Sequence, residues 1–197
     1  MKALQCTITF VILSIQSFSQ GAASWTYSKI NKIQFDSYSK VKYLVSDPAI
    51  KKHAGKLAIP ILEKKPRIFV DDGEFETYKY IGDIPGTKLS LVQCESPNDE
   101  VFYSISRLTG KADTLIGLPV FLRNLTDFVC TNNPGTDEKQ RIQVCEIKNG
   151  EIKIIAYIKA KSDGTVFYDL VYVRQNLIVM KDNFERYWKL DFKIKER

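Results

Sequence analysis

Asp71, Asp72 and Glu74 crowd three carboxyl groups around Gly73. A glycosidase divides its work between two carboxyls about 5 to 9.5 Å apart, one kept protonated by an apolar setting. Neighbouring carboxylates around a glycine turn point to different sides and stay in water, so neither gains the raised pKa of an acid catalyst. The same oxygens lack the Asp-x-Asp-x-Asp-Gly spacing of a calcium loop. The run therefore reads as a hairpin turn, and it is the weak acidic candidate on which a secreted-hydrolase reading would rest. Other nucleophile and metal chemistry has less material. His53 is the single histidine, beside Lys51-Lys52, with no Gly-x-Ser-x-Gly and no Cys-x-x-Cys anywhere in the chain. No triad, zinc set or phosphate loop follows from such a sequence, and no catalytic residue, metal or cofactor is assigned.

Of the 4 cysteines, Cys6 lies in the N-terminal segment, which leaves Cys94, Cys130 and Cys145. An odd number forbids complete internal pairing. Cys130 and Cys145 flank a polar loop and suit a cross-strand disulfide if their Cα atoms approach to about 4.4–6.8 Å. Each also sits in an apolar run, Phe128-Val129-Cys130 and Ile142-Gln143-Val144-Cys145, where a free thiol packs as a small hydrophobe. Both alternatives remain open. Tyr78, Tyr80, Phe102, Tyr103, Phe167, Tyr168, Tyr172, Tyr187 and Trp188 supply stacking surface for sugar or peptide, but aromatic residues favour strands because they cover the neighbouring sheet. Core is the simpler assignment.

The elements that position these residues read mostly as strands. Val101–Arg107 alternates apolar and polar residues with the period of two that a half-buried strand requires. Arg67–Val70, Phe75–Ile81, Lys88–Cys94, Ala112–Ile116, Pro119–Leu122, Phe128–Thr131, Arg141–Ile147, Ile152–Lys159, Val166–Arg174, Asn176–Lys181 and Tyr187–Lys195 are further candidates, and Trp25–Val45 is read as strand. Turn signals separate them: Asp71-Asp72-Gly73, Leu108-Thr109-Gly110-Lys111, Asn132–Lys139, Ser162-Asp163-Gly164, and Asn149-Gly150, the strongest hairpin signal in the chain. Asp47-Pro48-Ala49-Ile50 opens the single predicted helix, with Asp47 as cap and Gly55 as terminator. About twelve strands at spacings of about 8 to 12 residues predict an all-β, mainly antiparallel fold.

Residues 1–19 read as a secretory signal: Lys2, an apolar core over Thr7–Ile15, then Ser17-Phe18-Ser19 with cleavage before Gln20. Cleavage after Ala23 is the fallback. That core is about half of the roughly 20 residues needed to cross a bilayer, so no transmembrane anchor is expected. Residues 20–197 then form one β-rich domain in the periplasm or outside the cell. A net charge of +6 is spread along the chain rather than gathered. Scattered lysine on strands is a solvated face that discourages edge pairing, and nucleic acid is not an expected partner. Asn124-Leu125-Thr126 is an N-glycosylation acceptor in a eukaryotic setting, and Asp113-Thr114-Leu115 resembles a bacterial O-glycosylation site.

From Glu100 to Ile158 the layout is a strand ending in Thr109-Gly110-Lys111, a Gly117-Leu118-Pro119-Val120-Phe121 strand, a polar turn, and a strand ending at Asn149-Gly150. This rhythm resembles the blades of β-propellers of the WD-repeat and TolB-like kind, where the segment reads Pro-x-Phe-Ser-Pro-Asp-Gly-Lys. It is also similar to exported proteins of Bacteroidetes-type bacteria, as is the Ser17–Gln20 end of the signal. Here Leu122–Thr126 replaces the Ser-Pro-Asp-Gly turn, and the Trp-Asp dipeptide is absent. The resemblance implies a binding scaffold and names no active residue. The expected architecture is blade-like or sandwich-like packed sheets with one short N-terminal helix. The expected function is an exported, non-enzymatic binding or envelope protein whose ligand is a protein or glycan. The alternatives are a hydrolase using the turn carboxylates, or a basic inhibitor or adhesin for acidic surfaces.

Overall fold

The structure, a computed structural model, describes residues 23–38, 43–97, 99–122, 125–132, 139–160, 166–174 and 176–194. The signal segment 1–19, Asn124 of the glycosylation acceptor, the Ser162–Gly164 turn and most of the 132–139 loop lie outside these residues.

Four antiparallel sheets account for the fold. The first is β2 (Lys52–His53), β3 (Lys56–Ile59) and β4 (Arg67–Val70). The second is the meander β5 (Thr77–Ile84), β6 (Leu89–Glu95), β7 (Glu100–Ser106) and β8 (Ala112–Leu115). The third is β9 (Val120–Phe121), β10 (Asp127–Thr131), β11 (Arg141–Lys148) and β12 (Glu151–Lys159). The fourth takes β13 (Tyr168–Arg174), β14 (Leu177–Asp182) and β15 (Tyr187–Ile194), with β1 (Ala23–Ile30) added at its edge beside β15. Ala23 pairs with Ile194 and Ile30 with Tyr187, so the first and last strands share one ladder.

Hydrophobic alternation stacks these sheets in chain order. Leu57, Ile59 and Phe69 of the first sheet pack on Val92 and Ile105 of the second. Leu89, Leu91 and Phe102, on the opposite face of the second sheet, meet Phe121, Phe128 and Cys130 of the third. Val129, Ile142 and Val144 leave the other face of the third to meet Leu170, Ile178 and Leu190 of the fourth. The two middle sheets are thus apolar on both faces, which is why Leu89–Cys94 is buried without a break.

Asn31 caps the single helix, α1 (Lys32–Asp36), in a capping box with Gln34: each side chain accepts the other's backbone N–H, at 2.8 and 3.1 Å. The helix therefore lies within the segment Trp25–Val45 expected as strand, and not at Asp47. Asp47 does form a cap-like turn, its Oδ1 accepting the Ala49 N–H at 3.0 Å. The helix fails to propagate because Ala54 (φ 47°) and Gly55 (φ 71°) make a left-handed hairpin turn that draws Lys52–His53 into β2. This hairpin supplies two strands, β2 and β3, that the sequence reading missed. Phe35 stacks on Tyr187 at 4.4 Å and Tyr38 on Tyr172 at 5.0 Å, so the α1 segment covers the outer face of the fourth sheet.

Two local contacts fix the sheets. Gly117 passes so close to β10 that a Cβ there would sit 1.9 Å from the Thr131 carbonyl oxygen, so the glycine of the Gly-x-Pro-x-Phe stretch is a packing requirement. Asp182, buried at the β14–β15 turn, accepts the backbone N–H groups of Phe184 and Arg186, each at 3.0 Å. It also accepts the Arg186 Nε–H at 2.7 Å and the Trp188 indole N–H at 2.8 Å. Burial alone would raise this carboxyl, but the donors outweigh it and hold it below the usual carboxylate range.

Gly117→Ala is expected to cost about 3 kcal/mol through forced overpacking; an unchanged thermal midpoint would contradict the contact. Because Asp182 is depressed, its contribution is complete above the unfolded carboxylate value near 3.9 and is lost as pH falls through the lower folded value. Asp182→Asn should lose about 2 kcal/mol at pH 7 and show a smaller further loss below about pH 4 than the parent. Denaturant titrations followed by Trp188 fluorescence at both pH values measure this.

Candidate functional site

Stacking leaves the sheet edges and turns as the places where polar groups gather, and the free edge of β5 is one of them. β5 carries a bulge at Ile81, where its register against β6 shifts between Tyr80 and Gly82. Gly82 (φ 145°) allows the segment after α1 to approach: a Cβ there would lie 3.1 Å from Leu44 Cβ and 3.2 Å from the Val45 carbonyl oxygen. Val45 lies against Asp83 as an added antiparallel residue, with N–H···O bonds of 3.0 and 2.8 Å.

Arg107 holds this addition in place. Its Nη1 donates to Asp83 Oδ2 at 2.7 Å and to Asp47 Oδ2 at 3.3 Å. Ser90 Oγ donates to the other Asp83 oxygen at 2.6 Å, and the Asp47 N–H donates to the Tyr80 hydroxyl at 3.2 Å. Burial, and then the neighbouring Asp83 carboxylate, push the Tyr80 phenol well above its ordinary value. The addition stops after Val45, because the Asp47 N–H goes to the Tyr80 hydroxyl rather than to the β5 backbone, and Ile50 turns into the first core.

Beyond that stop the edge of β5 from Tyr80 back to Thr77 faces a groove of about 420 Å³. Ile50 and Leu57 line its apolar side, Tyr78 and Tyr80 flank it, and Lys52, Lys79 and Glu95 bring charge. A second cavity, of about 560 Å³, opens among turns at the junction of the second and third sheets, lined by Leu108, Leu125, Ile147 and the Pro85–Lys88 turn. Lys88 is the single charged residue in its lining. The first groove combines aromatic, apolar and both signs of charge, the mixture that orients a ligand.

The acidic turn borders this groove without entering it as chemistry. Asp71 is ion-paired with Lys52 and accepts the Tyr78 N–H at 2.9 Å. The lysine first, then that N–H, hold its carboxyl below the usual range. A group so held has no proton to give at neutral pH, so its role is to anchor the β4–β5 connection. Asp72 Oδ1 accepts the N–H groups of Phe75 and Glu76 at 2.8 and 2.7 Å, which closes the turn, and Glu74 is exposed. Asp71 and Asp72 therefore hold the turn with their own bonds, and Glu74 stands in solvent. Among the described residues no cluster of metal-ligating side chains occurs.

Cys94, Cys130 and Cys145 are free and buried. Cys130 pairs in register with Gln143 and Cys145 with Phe128, so the two thiols share the face of the third sheet turned toward the second, at diagonal positions. Burial pushes Cys145 up to about 12 and Cys130 well above its ordinary value. Of the aromatic residues, Phe102 and Tyr168 are core, while Tyr78, Tyr80 and Tyr103 are half-buried where the first and second sheets meet. Sequence reasoning missed Arg107, Asp83 and Lys52, since contacts spanning 24 and 60 residues leave no local pattern. Among the described residues no helix is long and apolar enough to cross a membrane. No family model matches the chain, nor does any curated protein or solved structure.

Arg107→Ala should release the segment around Val45 while the sheets persist. The expected result is at least about tenfold faster amide exchange at Val45 with a global loss of about 2 kcal/mol. Unchanged exchange at Val45 would show that Arg107 does not hold it.

Proposed function

We propose that this chain is an exported, non-catalytic binding protein of the cell envelope, and that the groove beside β5 receives its ligand. The carrying observation is the groove's construction: two tyrosines, an apolar wall of Ile50 and Leu57, and charges of both signs beside a strand edge fixed by Arg107. Rigid stacked sheets that present such an edge suit recognition, as the blade-like sequence rhythm also suggests. The acidic turn supports this reading over hydrolysis, because Asp71 is tied to Lys52 and the Tyr78 N–H, and Asp72 to the turn's own backbone, which leaves Asp71 unable to serve as the acid. Export rests on the segment 1–19, with Ser17-Phe18-Ser19 before the expected cut.

Intact mass of the chain recovered from the envelope or medium should start at Gln20; a full-length chain confined to the cytosol would refute export. Thr77→Trp places a bulky side chain at the groove from an exposed strand position. It should lower capture of the envelope component by the immobilised mature chain about tenfold, or about 1.4 kcal/mol, with the thermal midpoint held. Undiminished capture would move the site away from this groove.

A further inference from the structure

The groove holds an unfinished strand addition, and its backbone says what class of molecule finishes it. In an antiparallel ladder the backbone groups of alternate residues point to opposite sides of the strand. Tyr78 donates its N–H to Asp71 Oδ1, away from β6. Its ladder partner is Cys94, and Tyr80 two residues later pairs with Val92, so Tyr80 turns its N–H and C=O the same way. Past the bulge, Asp83 points outward too, and there both of its backbone groups are taken by Val45. Between these occupied positions, the Tyr78 C=O and the Tyr80 N–H and C=O face the groove. Among the described residues, no bond outside the sheet is made by the Tyr80 backbone.

The protein's own Val45 shows that this edge takes an antiparallel partner, and that partner ends after one residue, with the Asp47 N–H given to the Tyr80 hydroxyl. From Thr77 to Tyr80 the open edge spans about 10 Å at about 3.3 Å per residue, room for about three extended residues. A residue opposite Tyr80 would exchange two hydrogen bonds with it, and the one opposite Tyr78 would donate to its carbonyl. Alternate side chains would fall on opposite sides of the strand, one toward Ile50 and Leu57, the next toward solvent beside Lys79.

We propose that the groove binds a short extended peptide segment by β-strand addition to Tyr78–Tyr80, parallel to the chain direction of Val45–Asp47. This rests on the groove reading above and names its ligand class. The amide pattern carries it, since a chain of sugars has no alternating N–H and C=O with which to continue a ladder.

The probe is acetyl-Thr-Val-Thr-Val-Thr-amide, titrated into the folded mature chain and followed by amide NMR and hydrogen exchange. Binding should shift the Tyr78–Tyr80 amides and slow Tyr80 exchange at least about tenfold at saturation. The same peptide N-methylated at both valines should bind at least about tenfold more weakly, and Thr77→Trp should weaken the parent peptide similarly. Equal binding of the methylated peptide, or an unprotected Tyr80 amide, would overturn strand addition while leaving the groove as a binding site. A shift of the Tyr78 and Tyr80 rings by cellotriose, with none by the peptide, would do the same. Shifts from neither probe, with capture by Thr77→Trp undiminished, would overturn both readings.

Discussion

The second and third sheets bury both faces, and that constraint organises the rest of the molecule. A sheet with two apolar faces is stable only as the filling between two others, so the stack needs a layer at each end. The first sheet covers one side through Leu57, Ile59 and Phe69, and the fourth covers the other through Leu170, Ile178 and Leu190. Each strand of the middle sheets alternates between two cores rather than between core and water. Phe128 and Cys130 point one way along β10 and Val129 the other, all of them buried. A substitution in these strands disturbs an interface whichever way it points, so functional variation is pushed to edges and turns.

Edges are the more interesting of the two. An unpaired strand edge is a liability, commonly blunted by charge, bulges or covering chain. β5 has all three: the bulge at Ile81, the cover at Val45, and Lys79 with the neighbouring Asp71–Lys52 pair. The cover is partial: it pairs at Val45 alone, and the Asp47 N–H goes to the Tyr80 hydroxyl. The Arg107 bonds to Asp83 and Asp47 tie the covering segment to β5. The arrangement is a strand edge shortened to a defined length rather than an edge abolished.

Much of the fold was legible in the chain. Alternation in Val101–Arg107 and the left-handed Asn149-Gly150 turn (φ 56° and 74°) were enough to place β7 and the β11–β12 hairpin. The helix was misplaced for a reason that is itself local. Asp47-Pro48 has the chemistry of a helix start, but seven residues on, Gly55 reverses the chain, while Asn31 and Gln34 cap a helix inside an aromatic stretch that looks like strand. The groove was only half legible. Tyr78 and Tyr80 stood out as aromatic, but their setting comes from Gly82 and Arg107, each ordinary in sequence until the fold brings it to one strand. The carboxylates of Asp71, Asp72 and Glu74 drew notice by crowding, yet crowding around a glycine is what a turn needs.

The two ends of the stack are finished differently, and the difference bears on where a partner of the proposed kind would meet this protein. The outer face of the fourth sheet is closed by the protein itself, with Phe35 and Tyr38 laid on Tyr187 and Tyr172. The outer face of the first sheet has three strands to offer. Lys56 lies between His53 and Val70 in the register, and Ala58 lies opposite Ile68. Ile68 and Val70 are 57% and 52% exposed, but a lysine and a histidine share their face, so a further apolar layer would have to dehydrate charge to sit there. Dehydrating a backbone edge costs less, because each peptide group given up by water finds a peptide group in exchange. The same physics that stacks the sheets therefore favours the edge of β5 over either end face as the meeting place.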